Sequence, residues 1–218
     1  MKRLALCLVV VGLAAAGCGG TDRSDSGTTA TQAPPADPGR DVARALVEAA
    51  RADDASAVRD LLTERAAARP GAVARVLREL EPFEGGFRVL VSERITERYG
   101  VVALLRREHA YAFPLRLDGE GWKVDVGGPA SIEILGPRPH RPELVAQIGV
   151  VVHGLGNAGT AVLYVDGVTL DPRVAGDVRS FTVFANLAAP LTAGRHAAVA
   201  FGTRGDRAAA RAWTFTAR

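Results

Sequence analysis

The sequence predicts an α+β domain followed by an all-β domain, both behind an N-terminal export segment. Apolar residues recur at helical spacing through residues 42–80 and then alternate with a period of two through residues 87–126. Beyond residue 142 the helical spacing disappears, and short β-rich runs separated by Gly, Asp and Pro take its place. A chain of 218 residues is long enough for two such domains.

The export segment begins with Lys2 and Arg3 and continues as an apolar run to Ala16. This run is shorter than the roughly 20 residues that a membrane-spanning helix needs, so a cleaved signal is expected. Residues 13–18, LAAAGC, resemble the lipobox of bacterial lipoproteins, although Ala15 stands where that family usually has Leu. The resemblance implies a signal peptide over residues 1–17 and a lipid such as palmitate on Cys18, which would hold the protein on the outer face of the cell membrane. Ordinary secretory cleavage after Ala16 is the alternative.

Residues 18–39 are rich in Ser, Thr, Asp and Pro and lack large apolar side chains, which predicts a disordered tether. Cys7 would leave with the signal peptide and Cys18 would carry lipid, so no disulfide is expected in the mature chain. With Lys2 and Arg3 removed, 25 basic groups stand against 24 acidic groups. This near balance argues against a nucleic-acid partner.

Residues 40–128 predict the α+β domain. Val42, Ala45, Leu46 and Ala49 share one helical face, Asp54 can cap a second helix, and Pro70 is expected to open a third. Four strands are predicted at residues 87–98, 101–107, 110–117 and 122–126, the last two joined by an Asp-Gly-Glu-Gly turn.

The segments VARALVEAARADDASAVRDLL and YAFPLRLDGEGWKVDV resemble the NTF2-like (cystatin-like cone) superfamily. The resemblance implies a sheet that wraps a helix around a conical pocket, which in that family hosts isomerases, cyclases and hydrolases but also modules without known chemistry. The side chains predicted by strand parity to line such a pocket are His109, Tyr111, Phe113 and Trp122.

His109 is the best candidate for a general base, with Tyr111 as a hydrogen-bond donor. The competing interpretation of His109 is a solvated side chain at the end of a strand. Glu93 and Glu97 alternate with arginines and are expected to form an ordinary charged strand end. We therefore expect no catalytic residue and no cofactor, unless Glu93, Glu97 or Asp125 is buried within reach of His109 or Tyr111.

Residues 129–218 predict an immunoglobulin-like β-sandwich domain, and residues 136–142 within this range predict a stiff, extended, proline-rich hinge. AVLYVDGVTL resembles the central hairpin of bacterial immunoglobulin-like domains, and LTAGRHAAVAF with ARAWTFTA resembles their closing strand pair. The resemblance places His196 at the position of a tyrosine-corner residue, which implies a structural role. Trp213 and Phe215 are expected in the core.

Two further motifs predict no ligand. Residues 154–159, GLGNAG, match the glycine pattern of dinucleotide-binding loops but precede a predicted strand instead of the helix that such a site requires. The four histidines are scattered and the spacing of metal ligands is missing, so no metal site is expected.

The sequence thus favours a membrane-anchored lipoprotein that binds an envelope protein or a small apolar ligand without catalysing a reaction. A surface-displayed enzyme of isomerase or cyclase type is one alternative. An adhesive or polymer-binding module that acts through the β-sandwich is another. A filled pocket in the first domain would exclude binding of a small apolar ligand there, and the hypothesis of a partner protein would remain.

Overall fold

The computed structural model describes residues 37–119, 121–155, 159–176 and 180–218, which belong to one compact unit. The predicted signal peptide, Cys18 and nearly all of the predicted tether lie outside the described residues, as do residues 156–158 of the GLGNAG motif. Within the described part of the chain, every helix is too short or too polar to cross a membrane.

The described part of the chain begins with helices, and short polar side chains cap the first turns of the first three. The helices are α1 (Pro38–Arg51), α2 (Ala55–Asp60), α3 (Glu64–Ala67) and α4 (Ala72–Leu80), followed by a 3₁₀ turn (Glu81–Phe83). The side chains of Asp37, Asp54 and Thr63 accept backbone N–H groups at the starts of the first three helices. The helix predicted from Pro70 begins instead at Ala72, because Gly71 takes a left-handed φ of 73° that interrupts the helical path.

The first sheet is an antiparallel meander of β1 (Arg88–Arg94), β2 (Tyr99–Arg106), β3 (His109–Asp118) and β4 (Gly121–Val124), in that spatial order. Its concave face packs against the helices, which bury their apolar stripes there. Helices followed by a meander agree with the α+β region that the sequence predicts.

The rest of the chain forms two more four-stranded antiparallel sheets that pack face to face around a second core. One has the order β5-β6-β10-β9 and the other the order β12-β11-β7-β8. The strands are β5 (Ser131–Gly136), β6 (Gln147–His153), β7 (Thr160–Val165), β8 (Val168–Leu170), β9 (Arg173–Gly176), β10 (Ser180–Asn186), β11 (Gly194–Arg204) and β12 (Arg207–Ala217). Strand β8 is the second strand of the hairpin that AVLYVDGVTL predicts, whereas β9 was not predicted, because it is short and fully exposed and carries no periodic pattern.

A third apolar cluster lies between the first sheet and the outer face of the β12-β11-β7-β8 sheet. Tyr99, Val101 and Ala103 of β2 contribute from one side, and Tyr164 and Phe201 contribute from the other. The helices and the three sheets therefore stack as four layers. Independent folding of residues 40–128 and 129–218 stays a prediction.

Candidate functional site

The four predicted pocket residues lie in different surroundings. Phe113 is fully buried against the helices, and the ring of Tyr111 lies 5.8 Å from it. Trp122 is half-buried at the open end of the concave face. His109 leaves about half of its side chain in solvent, with Nε2 3.9 Å from the carboxylate of Glu108. The fold brings Tyr111 and Phe113 together and leaves His109 outside.

The concave face of the first sheet is filled mainly by large side chains from the helices. Leu46, Leu62 and Leu80 are at most 2% exposed and belong to the same cluster as Phe113. A pocket of about 260 Å³ opens at one end, with Leu115 and Trp122 among its apolar residues. This is less than the volume of about 300–1,000 Å³ typical of small-molecule sites, so most of the concave face is core.

Of the three carboxylates considered as catalytic candidates, Asp125 is the buried one. It is 4% exposed and accepts hydrogen bonds from Arg65 Nε at 2.8 Å and Thr63 Oγ1 at 3.1 Å. Arg65 also donates to the hydroxyl of Tyr99 at 3.1 Å. The hydrogen bond that Arg65 donates to Asp125 outweighs partial burial and raises the pKa of Arg65 above its ordinary value. Asp125 thus makes its hydrogen bonds with Arg65 and Thr63, away from His109 and Tyr111.

Glu93 and Glu97 are exposed. Glu93 accepts a hydrogen bond of 2.8 Å from the hydroxyl of Tyr164 in β7. Burial and then this hydrogen bond raise the pKa of Tyr164 above its ordinary value. Glu93 therefore joins the first sheet to the sandwich.

A groove of about 580 Å³ runs beside the first half of β3, and we call it the β3 groove. Strand β4 pairs only with residues 115–118 of β3. Residues 109–113 pair with β2 on one side, and no described strand pairs with them on the other. Ala110 and Ala112 line the groove at this free edge.

The backbone groups of Ala110 and Ala112 face the groove. Backbone N–H and C=O groups alternate between the two sides of a strand. Leu117 N donates to Arg98 O on the β2 side, whereas Pro114 O accepts from Asp125 N on the β4 side, each at 2.9 Å. Even-numbered residues of β3 therefore direct their backbone polar groups away from β2.

Helix α4 and strand β12 form the walls of the β3 groove. Arg75 and Glu79 of α4 lie on one wall and residues 208–212 of β12 on the other. Burial, and then the charge of Glu79, raise the pKa of Tyr111 above its ordinary value of 10.0, and Arg75 partly offsets this. The Tyr111 hydroxyl is consequently neutral at physiological pH.

Among the described residues, four charged side chains line the β3 groove, and they are Arg75, Glu79, Asp125 and Arg211. Arg211 of β12 donates to Ile132 O at 3.1 Å, and Arg69 donates to Val126 O at 2.8 Å. The guanidinium groups of Arg69 and Arg75 both approach Gly127, lying 3.4 and 3.9 Å from the position a Cβ atom would take there. Because Arg65 neutralises Asp125, Glu79 is the remaining acidic side chain among the described residues that line the groove.

The sequence interpretation missed the β3 groove. The sequence signal for this groove is its alanine content, at residues 110 and 112 and again in the run at residues 208–212. Small side chains at these positions leave space beside the strand. Within the described ranges, groups of three or more His, Cys, Asp or Glu arranged to hold a metal ion are also absent.

Comparison of the chain with protein-family models and with curated proteins gave no match.

Proposed function

We propose that this chain is a membrane-anchored envelope lipoprotein whose folded part is a non-enzymatic protein-interaction module. The observation that carries the proposal is the filling of the concave face, where Phe113 meets Leu46 and Leu80. A site for a small apolar ligand or for catalysis would need that space. The partner-protein hypothesis does not depend on it.

The order of helices and strands supports an NTF2-like assignment for the first region. Helices precede a four-stranded antiparallel meander and pack in its concave face. In that superfamily the same face holds the functional pocket, so its filling here favours a member without chemistry.

The connectivity of the sandwich supports an immunoglobulin-like assignment for the second region. Its sheet orders, β5-β6-β10-β9 and β12-β11-β7-β8, correspond to strands A-B-E-D and G-F-C-C′ of such domains. His196 lies near the start of β11 and its Nε2 lies 2.8 Å from the carbonyl oxygen of Thr192. This bond to backbone four residues upstream resembles the bond of a tyrosine corner.

The lipid anchor is proposed from the sequence around Cys18. The proposed partners are the membrane, through this anchor, and an envelope protein at its outer face. Replacing Cys18 by Ala should move the protein from the membrane fraction to the soluble exported fraction and abolish palmitate labelling. Cys7→Ala is the matched control and should change neither the membrane fractionation nor the palmitate labelling. Membrane retention of the Cys18→Ala protein would overturn the anchor.

The interaction function is tested by chemical cross-linking in intact cells. The tethered wild-type protein should cross-link reproducibly to one or a few envelope proteins, identified by mass spectrometry. A tethered version of an unrelated domain, attached behind residues 1–39, is the control for proximity alone. Identical cross-link patterns for the two would contradict a specific interaction module.

A polymer-binding module is the second candidate, and one surface favours it. The outer face of the β5-β6-β10-β9 sheet carries a shallow hollow of about 380 Å³, whose lining includes Leu135 and Phe184. Leu135 is 46% exposed. If this surface binds an envelope polysaccharide, Phe184→Ala should reduce sedimentation of the protein with purified cell wall.

A further inference from the structure

The first sheet leaves a strand position empty beside β3. Strand β4 ends at Val124, and Asp125 then turns to Arg65 and Thr63. A longer β4 would have continued along residues 109–113 of β3. The backbone groups of Ala110 and Ala112 line this position instead, and they offer two N–H donors and two C=O acceptors.

The unpaired backbone groups of such an edge can form hydrogen bonds with an added strand. An extended peptide pairs with the exposed backbone, while its alternate side chains enter the spaces on either side of the sheet. At the β3 groove one side is the α4 wall with Arg75, and the other is the alanine wall at residues 208–212. The alanine wall leaves room for side chains of the incoming strand.

The charges of the β3 groove select the kind of peptide. The side chains of Arg75 and Glu79 make no hydrogen bond or ion pair with another described residue. Asp125 is paired with Arg65, which leaves Arg75 and Arg211 against Glu79 among the charged side chains of the lining, so the groove attracts acidic side chains. Charge complementarity of this kind steers association and excludes basic partners.

We propose that the β3 groove binds an extended acidic segment of a partner protein, about five residues long, which adds to the first sheet as a strand beside Ala110 and Ala112. This inference rests on the proposed interaction function and names the class of partner. The acidic side chains of the segment pair with Arg75 on the α4 wall, and its small or apolar side chains face the alanine wall.

The probe is a phage-displayed library of random heptapeptides, selected on the purified full chain. Enriched sequences should contain two or more acidic residues that alternate with small or β-branched ones. The most enriched peptide is then synthesised and its Kd measured by calorimetry. Arg75→Glu should weaken its binding at least tenfold. Arg78→Glu makes the same charge change elsewhere on α4 and should alter the Kd less than twofold.

Two further measurements separate strand addition from simple charge attraction. Ala110→Pro removes one N–H from the free edge without removing a bond to β2, and should weaken binding at least tenfold. Proline is tolerated on this side of the strand, since Pro114 already occupies the equivalent position. In the complex, hydrogen exchange of the Ala110 and Ala112 amides should slow markedly.

The inference is overturned if the library yields no acidic sequences or if Arg75→Glu leaves the Kd unchanged. It is equally overturned if the Ala110 and Ala112 amides exchange as fast in the complex as in the protein without peptide. It is also overturned if a second copy fills the groove, seen as a dimer in sedimentation that Arg75→Glu dissociates. Tighter binding of a synthetic peptide of residues 19–36 would assign the groove to the tether. Specific cross-links in cells that survive Arg75→Glu would sink this inference while leaving the proposed interaction function intact.

Discussion

Arg65 and Asp125 form a salt bridge between α3 and the end of β4, with Nε 2.8 Å from Oδ1. The Asp125 side chain is 3% exposed, and Arg65 reaches onward to Tyr99 and to within 3.6 Å of Asp206 in the turn before β12. The pair therefore connects the helices, the first sheet and the sandwich.

Replacing Asp125 by Ala should lower the free energy of unfolding by about 3 kcal/mol, because a half-buried guanidinium and the Thr63 hydroxyl lose their acceptor. Urea denaturation monitored by circular dichroism measures the change. Asp41→Ala is the control, since Asp41 pairs with Arg44 at an exposed site, and it should cost less than about 1 kcal/mol. Similar losses in the two variants would show that Arg65 and Asp125 contribute little.

Replacing Phe113 by Ala should cost about 3–5 kcal/mol, because a fully buried ring leaves a cavity among the helices. Trp122→Ala, at the half-buried end of the same face, should cost less. Both are measured by urea denaturation. A loss below about 1 kcal/mol for Phe113→Ala would mean that the concave face is not filled.

His196 should give the protein a pH-dependent stability. Its Nδ1 lies 2.6 Å from Asp166, its Nε2 lies 2.8 Å from Thr192 O, and its ring stacks on Phe215. Partial burial lowers the pKa of His196, but the hydrogen bonds to Asp166 and Thr192 outweigh it and raise the pKa above 6.5. The stabilisation is therefore complete below pH 6.5, the unfolded value, and is lost as pH rises through the higher folded value.

Urea denaturation from pH 5 to pH 9 tests this sign. Stability of the wild type relative to His196→Gln should fall as the pH rises. Asp166→Asn should lower the pKa of His196 in an NMR titration. His140→Asn, at an exposed site, should leave the profile unchanged. A relative stability that rises with pH would contradict the assignment of a charged His196.

Fragments 38–128 and 129–218, made separately, should each unfold cooperatively, because each retains a core of its own. Each should be less stable than the full chain, since separation exposes the third cluster, including Tyr99 and Phe201. Circular dichroism with urea and size-exclusion chromatography of the mixed fragments provide the measurement. Two unstructured fragments would mean that the halves share a single core.

Local patterns predicted much of the fold. Helical spacing located α1 and α4, and alternation located the four strands of the first sheet to within a few residues. The sequence also placed His196 near the start of its strand and Trp213 in the core, where the structure has them. These predictions succeed because a helix or strand that buries one face must repeat its apolar residues at its own period.

Nonlocal contacts could not be predicted in the same way. The run from Tyr99 to Leu104 is buried on both faces, which indicates a covered strand without saying what covers it. Parity placed His109 beside Tyr111, but the residue lies at a strand end, where the chain leaves the sheet.

The sequence by itself determined the order of the helices and strands and which of their faces avoid water. Only the tertiary structure decided that the helices fill the concave face, that the sandwich covers the convex face, and that β4 stops where Asp125 meets Arg65. Apolar periodicity states that a face must be buried, but any apolar face of suitable shape can bury it. The partner of each face, and the free edge left beside Ala110 and Ala112, depend on how all layers pack at once.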